Sequence, residues 1–447
     1  MKMTESISKA DSPGGVQGPG SWANLAQRNL DRALAHVVAQ NKETGKPEIR
    51  NAVVQVEVPQ YGFVHTAAVG QANADSDAPM TPDHQFHLAS VTKTMTATLV
   101  LQLWEQGALG ERGLDATLAE MALFDDSIVE RLHVLDGVNY GRQITVRHLL
   151  SHSSGMKGAD IDDDTGTEAD HGGLAPGSYA AQFRDGVEAH LACLADPDCD
   201  VSSLVTTRDW SPWDADRPFD KQAGLVNWYL NSGVATTPLF PPGEGFHYCD
   251  TGYIILSLLA EKLSGKSFHA QLRENIFDPL GMDRSYLAYA KDPEPASWEY
   301  AVAEFWMGDI PGITYGFNVS FDRGGGGVVT TAGELNRFLK ALLNGELFEK
   351  PETMAEMIDW QAFPGTKGPQ VGLGMFTEPT PFDTAAWGHS GLWGARMLYE
   401  PDTGTYLSGT VNQISASGAW WTEILQALHD ARAGRETPPV ERNDEHE

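Results

Sequence analysis

Ser90 and Lys93 are the residues of this chain whose types and spacing best suit chemistry. They lie three positions apart, and hydrophobic residues follow at the spacing of a buried helix, so the lysine lies one turn after the serine. A lysine in a dry pocket loses its proton more readily and can then activate a neighbouring serine as a nucleophile. Backbone N–H groups at the helix start would stabilise an oxyanion. Because Ser6 and Lys9 have the same spacing without a hydrophobic helix, the pair alone does not establish catalysis.

Two other segments carry side chains that suit a hydrolytic site. Tyr248 and Asp250 precede a hydrophobic run at 254–263 that predicts a helix. The sequence Trp-Gly-His-Ser-Gly-Leu at 387–392 contains small residues, which would let the backbone of a substrate approach a strand closely. A serine, a lysine, a tyrosine, an aspartate and a histidine are therefore available for one site.

Other residues of reactive type have a structural interpretation. We expect His148 and His152 to satisfy the ends of helices, and Cys249 to be a small packing residue. The run Gly324–Gly327 predicts a place where the backbone crosses close to another element, since the Gly-Lys-Ser/Thr of a phosphate loop is missing. Asp160–Asp164 begins like a calcium loop but lacks the required glycine and the closing glutamate. The sequence therefore predicts no metal and no cofactor.

In combination, the motifs resemble those of the penicillin-recognising serine hydrolases. That family includes class C beta-lactamases, DD-peptidases, D-aminopeptidases and family VIII carboxylesterases. Ser90–Lys93 matches its Ser-x-x-Lys motif, Tyr248–Asp250 its Tyr-x-Asn motif, and His389–Gly391 its Lys-Thr-Gly motif, which is His-Thr-Gly in some DD-peptidases. The resemblance extends in order from about residue 51 to residue 413, and the segment 149–155 and the glycine run before Ala332 look like structural features of the family.

The resemblance implies a beta-lactamase/transpeptidase-like fold and a mechanism through an acyl-enzyme. Ser90 would attack the carbonyl, and Lys93 and Tyr248 would handle its proton, with the choice of base left open. The backbone N–H groups of Ser90 and Leu392 would form the oxyanion hole. His389 would be the fourth catalytic residue, after Ser90, Lys93 and Tyr248. The expected substrate-binding residues are Asp250, Ser390, Gly391 and Trp387.

Two departures from the family motifs bear on the substrate. Asp250 stands where the family has asparagine, and it would favour the protonated form of Lys93 through a charge-assisted hydrogen bond. His389 stands where the family has lysine, so a fixed positive charge is lost. Because a beta-lactam carries a carboxylate, we predict neutral or amine-bearing substrates and weak or absent beta-lactamase activity.

These features predict a serine hydrolase that cleaves an ester or amide bond, with a preference for an amidase or peptidase of the D-amino-acid type. A carboxylesterase is the first alternative. An acyltransferase or peptide cyclase is the second, if an amine rather than water releases the acyl group. A covalent sensor or binding protein that keeps the fold without turnover is the third.

The two ends of the chain predict one antiparallel sheet. Hydrophobic residues from Ser21 onward have helical spacing, and strand-like runs at 52–58 and 63–70 form a hairpin. A second hairpin joins 395–399 to 405–411, and a tryptophan-rich helix follows. The predicted fold class is therefore α+β: an antiparallel sheet built from both termini and flanked by helices, with an inserted, mainly helical domain.

The predicted domain boundaries follow from this pattern. Residues 1–20 form a disordered lead, residues 21–75 and 310–433 form the sheet domain, residues 76–309 form the helical domain, and residues 434–447 form a charged tail. The helical domain carries an insert at about 157–240 that is rich in aromatic residues. We expect this insert to cover the site and to influence specificity.

Composition limits the partners. A formal net charge of −30 and an isoelectric point near 4.7 disfavour nucleic acid and anionic membrane surfaces, so the expected partner is a small ester, amide or peptide. No secretory signal is recognisable at the N-terminus, which predicts a cytoplasmic location. In that location Cys193 and Cys199 are expected as free thiols, whereas in an oxidising compartment they could close a short loop. The sequence does not define the oligomeric state.

Overall fold

The computed structural model describes residues 19–40, 48–158, 179–196, 199, 225–231, 234–288, 302–317, 319, 322–362, 370–414 and 420–439. Several sequence-based predictions lie outside these residues. They are most of the N-terminal lead, the calcium-like loop, and a large part of the predicted insert with Trp210, Trp213 and Phe219.

Seven strands form the main antiparallel sheet, and its order brings the two ends of the chain together. From one edge to the other the strands are β11 (Phe376–Pro379), β12 (Ala385–Ser390), β13 (Arg396–Glu400), β14 (Thr405–Thr410), β1 (Asn51–Val58), β2 (Phe63–Asn73) and β3 (Ser76–Pro79). Strand β1 pairs antiparallel with β14 and with β2, so the N-terminal hairpin joins the C-terminal one directly. The predicted sheet from both termini is confirmed.

The remaining strands are short and form smaller sheets. They are β4 (Phe86–His87), β5 (Val134–Leu135), β6 (Val138–Asn139), β7 (Tyr286–Leu287), β8 (Trp306–Met307), β9 (Ile310–Pro311) and β10 (Val328–Thr330). Strand β10 lies between β4 and β7. This small sheet matters for the site, because β4 leads directly into the segment that contains Ser90.

The helices lie on both faces of the main sheet and in the region between the two hairpins. They are α1 (Pro19–Gln40), α2 (Thr92–Glu105), α3 (Asp126–Val129), α4 (Val146–Leu150), α5 (Tyr179–Ala195), α6 (Leu225–Asn231), α7 (Asp250–Ser264), α8 (Phe268–Leu272), α9 (Asp278–Leu280), α10 (Ala332–Leu343), α11 (Pro351–Met357) and α12 (Trp420–Arg432). The predicted α+β class is confirmed. No helix of the described residues is long and apolar enough to cross a membrane.

Strand β1 is buried on both faces, which explains its run of valines. Val54, Val56 and Val58 pack with α1 and α12 in one hydrophobic cluster. Val53 points to the opposite face and belongs to the larger cluster, which also contains α2, α7 and α10. Because β-branched side chains fill a pleated surface well, this strand forms the centre of the core between two layers of helices.

Helices α2 and α7 pack against each other in the middle of the larger cluster. Most side chains of both helices are buried, including four threonines on α2. Thr94 and Thr96 donate hydrogen bonds of 2.7 Å to the carbonyls of Gly374 and Gly324, and Thr98 donates to the carbonyl of Thr94. The polar groups of a buried helix are thereby satisfied, so α2 is a rigid support for the residues at its start.

Two local predictions need correction. The first helix begins at Pro19 rather than Ser21. Cys193 and Cys199 form a disulfide rather than free thiols, because Cys193 lies near the end of α5 and the chain turns back to bring the two Cα atoms within 5.3 Å. Cys249 is a buried free cysteine whose thiol contacts the carbonyl of Lys157, as expected of a packing residue.

Candidate active site

Ser90 lies in a single 3₁₀ turn, Ala89–Val91, that continues into α2. Ala89 has a φ of +45°, a left-handed conformation that is unfavourable for alanine. Leu88, just before it, donates a backbone hydrogen bond of 2.9 Å to the carbonyl of Val328 in β10. Backbone strain of this kind persists only where the surrounding structure enforces it, and it is common at functional sites.

Lys93 follows one turn later, and its side chain is fully buried. Its Nζ donates to Ser90 Oγ at 3.0 Å and to the carbonyl oxygen of Gly325 at 2.7 Å. It also forms an ion pair with the carboxylate of Asp250, the first residue of α7. The acceptors on Gly325 and Asp250, from two distant parts of the chain, therefore hold the ammonium against the hydroxyl of Ser90.

Tyr248 lies next to Lys93, with its ring centroid 4.9 Å from Nζ. Burial raises the pKa of its phenol far above the ordinary value. The positive charge of Lys93 acts in the opposite direction but does not offset the burial, and the negative charge of Asp250 raises the pKa further. The phenol is therefore protonated at neutral pH and is a proton donor in the resting site.

His152 satisfies a helix end, as predicted, because it accepts a hydrogen bond from the residue that precedes α7, and its ring also borders the site. Its ring stacks on Tyr248 with centroids 4.4 Å apart, and its Nδ1 accepts a hydrogen bond of 3.0 Å from the N–H of Cys249. Burial holds the pKa of His152 well below its usual range, so the ring is neutral. His148 also satisfies a helix end as predicted, through reciprocal hydrogen bonds with Thr145 at the start of α4.

The end of β12 brings the third predicted segment to Ser90. A Cβ atom on Gly391 would lie 2.2 Å from the carbonyl oxygen of Leu88, so only glycine permits this approach. His389 is buried, and its Nδ1 lies 2.7 Å from the carbonyl oxygen of Ser390. Burial lowers the pKa of His389 to about 3, so this imidazole carries no charge at neutral pH.

The other predicted binding residues of this segment divide between the site and the core. Leu392 and Ser390 are half-buried beside Gly391. Trp387 is also half-buried, and its ring lies 5.7 Å from that of Trp360. Trp393, in contrast, is a core residue: it is buried and stacks on Phe305 with centroids 4.3 Å apart.

The glycine run crosses directly beneath the site, as the sequence predicted. A Cβ atom on Gly324 would lie 2.7 Å from Cβ of Ser257 and 2.9 Å from the carbonyl oxygen of Tyr253, both on α7. Side chains larger than hydrogen are therefore excluded. The close crossing presents the carbonyl oxygen of Gly325 to Lys93.

Sequence analysis missed one carboxylate that borders this crossing. Asp322 lies three residues before Gly325, and its Oδ1 is buried without a hydrogen-bond partner among the described residues. Burial and the negative charge of Asp250 raise the pKa of Asp322 to about 7, while Lys93 opposes this shift. The signal in the sequence was its position two residues before the glycine run at 324–327.

The arrangement combines a serine, a lysine that contacts its hydroxyl, a protonated tyrosine and two neutral imidazoles. Several buried polar atoms around Lys93 have no partner within the described part of the chain. They are the phenol oxygen of Tyr248, Oδ2 of Asp250, Oδ1 of Asp322, Nε2 of His152 and Nε2 of His389. Unsatisfied buried polar groups are rare in folded proteins and concentrate where a ligand or a reacting group completes them. The described residues contain no cluster of side chains suited to a metal ion.

Comparison with known proteins gives relatives over most of the chain. The beta-lactamase family profile matches residues 50–419. A penicillin-binding protein of Bacillus subtilis is 24% identical over 359 residues, which cover 78% of this chain and 64% of that protein. The chain thus spans less than two thirds of that relative's length. Esterase EstB of Burkholderia gladioli is 26% identical over 376 residues, covering 79% of each chain.

Solved structures share the fold. A D-stereospecific amidohydrolase from Streptomyces sp. superimposes with a TM-score of 0.61 at 22% identity, covering 90% of this chain and 98% of the other. At this identity the similarity establishes the fold alone. The predicted beta-lactamase/transpeptidase-like architecture is confirmed.

Proposed function

The chain belongs to the beta-lactamase family, and we propose that it is a serine hydrolase that cleaves an ester or amide bond through an acyl-enzyme on Ser90. The observation that carries this proposal is the distance of 3.0 Å between Lys93 Nζ and Ser90 Oγ. A base within hydrogen-bond reach of a hydroxyl is the geometric requirement for an activated nucleophile.

In the proposed acylation step, Lys93 in its neutral form takes the proton from Ser90. Ser90 Oγ then forms a bond to the substrate carbonyl carbon, and the carbonyl oxygen becomes an oxyanion. The N–H groups of Ser90 and Leu392 stabilise it. As the bond to the leaving group breaks, Tyr248 supplies a proton to the departing nitrogen or oxygen and recovers one from Lys93. The raised pKa of Tyr248 supports this donor role rather than that of the initial base.

Deacylation uses the same groups in reverse. Neutral Lys93 takes a proton from a water molecule, which attacks the ester carbonyl of the acyl-enzyme, and Tyr248 donates its proton to the departing Ser90 oxygen and recovers one from Lys93. The carboxylic acid leaves, and the proton returns to Ser90. His152 stacks on Tyr248 and keeps the ring in place, so we infer that it is a positioning residue for this step.

We infer a D-amino-acid-type amide or peptide as the substrate. Asp250 and Asp322 carry the negative charges near Ser90, and the neutral His389 offers no cation to a substrate carboxylate. The likeness to a D-stereospecific amidohydrolase supports the same substrate class. A carboxylesterase is the second candidate, because the relative from Burkholderia gladioli is an esterase with coverage of 79% of both chains.

Three chromogenic substrates test the proposal. We expect D-alanine p-nitroanilide to be cleaved at least about tenfold faster, in kcat/KM, than its L enantiomer. Cleavage of p-nitrophenyl acetate without cleavage of either anilide would replace the amidase with a carboxylesterase. If none of the three is cleaved by folded protein, the serine hydrolase proposal is wrong.

A further inference from the structure

The carboxylate of Asp322 occupies the space that side chains at positions 325 and 326 would need, close to Ser90. A Cβ atom on Gly325 would lie 1.9 Å from its Oδ1, and one on Gly326 would lie 2.0 Å from its Oδ2. The same Cβ on Gly326 would lie 3.3 Å from the carbonyl carbon of Ala89, which is bonded to the nitrogen of Ser90. The two glycines therefore let the carboxylate reach the wall of the site next to Ser90.

This carboxylate is not used by the proposed mechanism. Its Oδ1 is shielded from solvent and accepts no hydrogen bond from the described residues. A buried carboxylate oxygen without a donor is costly. The nearby cation, Lys93, already contacts Ser90, Gly325 and Asp250. A donor from a bound substrate would remove the cost.

The charges that face Asp322 come from both helices behind the site. Lys93 on α2 attracts it, and Asp250 on α7 repels it. His152 and His389 are neutral, because burial lowers the pKa of each. The neighbouring Arg323 is paired with Glu261. With Lys93 balanced by Asp250, an ionised Asp322 leaves the site with one uncompensated negative charge.

We propose that Asp322 binds the ammonium group of the substrate and thereby selects amine-bearing acyl groups. This inference rests on the proposed function, since it concerns the acyl side of the same site. The contact would be a charge-assisted hydrogen bond, in which the ammonium donates to the carboxylate. Asp322 is a specificity-determining residue in this account and takes no part in bond breaking.

The test compares two nearly isosteric substrates. D-alanine p-nitroanilide carries an ammonium group where isobutyryl p-nitroanilide carries a methyl group. The ratio of their kcat/KM values is measured at about pH 7, where an α-amine is largely protonated, for wild type, Asp322→Asn and Asp402→Asn. Asp402 lies in an exposed turn, so its variant controls for the same change in net charge.

We expect Asp322→Asn to reduce the ratio about 10- to 100-fold, the effect of losing one hydrogen bond between charged groups. Asp402→Asn should leave the ratio unchanged. A ratio that is unchanged in Asp322→Asn overturns the inference, as does an equal loss for both substrates, which would make Asp322 a positioning residue for Lys93. Absence of turnover of either substrate by wild type would instead refute the proposed function.

If Asp322→Asn fails to fold, the inference can be tested on the wild-type protein alone. A trimethylammonium-acetyl p-nitroanilide keeps its charge at every pH; it has no N–H to donate, so it reports the attraction between the charges alone. Its tert-butyl analogue is neutral. Because Asp322 is protonated below its pKa of about 7 and ionised above it, the preference for the charged substrate should rise between about pH 6 and about pH 8. A preference that does not change over this interval contradicts the inference.

Discussion

Replacement of Asp250 by asparagine tests the link between the ion pair and catalysis. Asp250 is 1% exposed, and its carboxylate pairs with the fully buried ammonium of Lys93. Asparagine keeps the size of the side chain and an oxygen that can accept from Lys93, but it removes the negative charge. The variant therefore changes the charge next to Lys93 while leaving the packing of α7 nearly unchanged.

The expected size of the effect follows from this contact. An opposite charge at close range favours the charged form of its neighbour by about 1 to 3 pKa units. Removal of the Asp250 charge thus favours the neutral, reactive form of Lys93 by about 1.4 to 4 kcal/mol. Since neutral Lys93 is the form that accepts the serine proton, the acidic limb of the kcat/KM profile should move about 1 to 3 pH units lower.

The assay is a profile of kcat/KM against pH with the neutral substrate p-nitrophenyl acetate. The imidazoles of His389 and His152 do not titrate on the acidic limb, because burial lowers the pKa of His389 to about 3 and that of His152 well below its usual range. Asp322 ionises near pH 7, so the comparison is repeated with Asp322→Asn in both proteins. Asp402→Asn again serves as the charge-matched control.

One result would refute this reasoning. If Asp250→Asn folds and turns over the ester with an acidic limb at the wild-type position, the ionisation of Lys93 does not control acylation. A shift of the limb to higher pH would have the wrong sign and would refute it as well. Loss of all activity in a folded variant would indicate that the carboxylate itself, rather than its effect on Lys93, is required.

Three further predictions concern substrate charge, packing and the cysteines. Wild type should hydrolyse cephalosporins slowly or not at all, because the neutral His389 offers no cation to their carboxylate. Turnover near the diffusional ceiling of about 10⁸ M⁻¹s⁻¹ would contradict the charge argument. Gly324→Ala should lower the free energy of unfolding by about 2 to 3 kcal/mol in denaturant titrations, since its Cβ would overlap α7. Gly333→Ala is the control: its Cβ would meet only the end of the Gln55 side chain, so the free energy of unfolding should change little. Thiol titration of denatured, unreduced protein should find one thiol, Cys249, and three after reduction, whereas three before reduction would contradict the disulfide.

The parts of the fold that sequence patterns predicted are those with local signals. The two hairpins have alternating or continuous hydrophobic runs on either side of a turn, and α2 follows Ser90 at helical spacing. The glycine run also had a local cause, because a backbone crossing excludes side chains. Such features depend on neighbours within a few residues, so one sequence is enough to predict them.

The parts that were missed depend on contacts between distant segments. Asp322 is one acidic residue in a strongly acidic chain, and only the fold brings it to Lys93, 229 positions earlier. His152 satisfies a helix end as predicted, at the start of α7, but only the fold shows that its ring also stacks on Tyr248. The Cys193–Cys199 bond depended on the geometry at the end of α5, which spacing alone does not determine.

Intact-mass spectrometry of acid-quenched protein tests the central claim most directly. Wild type and Ser90→Ala are each mixed with p-nitrophenyl acetate and with D-alanine p-nitrophenyl ester, and the release of p-nitrophenol is followed in parallel. The account predicts that wild type gains the mass of one acyl group, that digestion places this mass on Ser90, and that Ser90→Ala neither gains it nor turns over either ester. An acyl group on another residue, or turnover retained by Ser90→Ala, would contradict the assignment of Ser90 as the nucleophile.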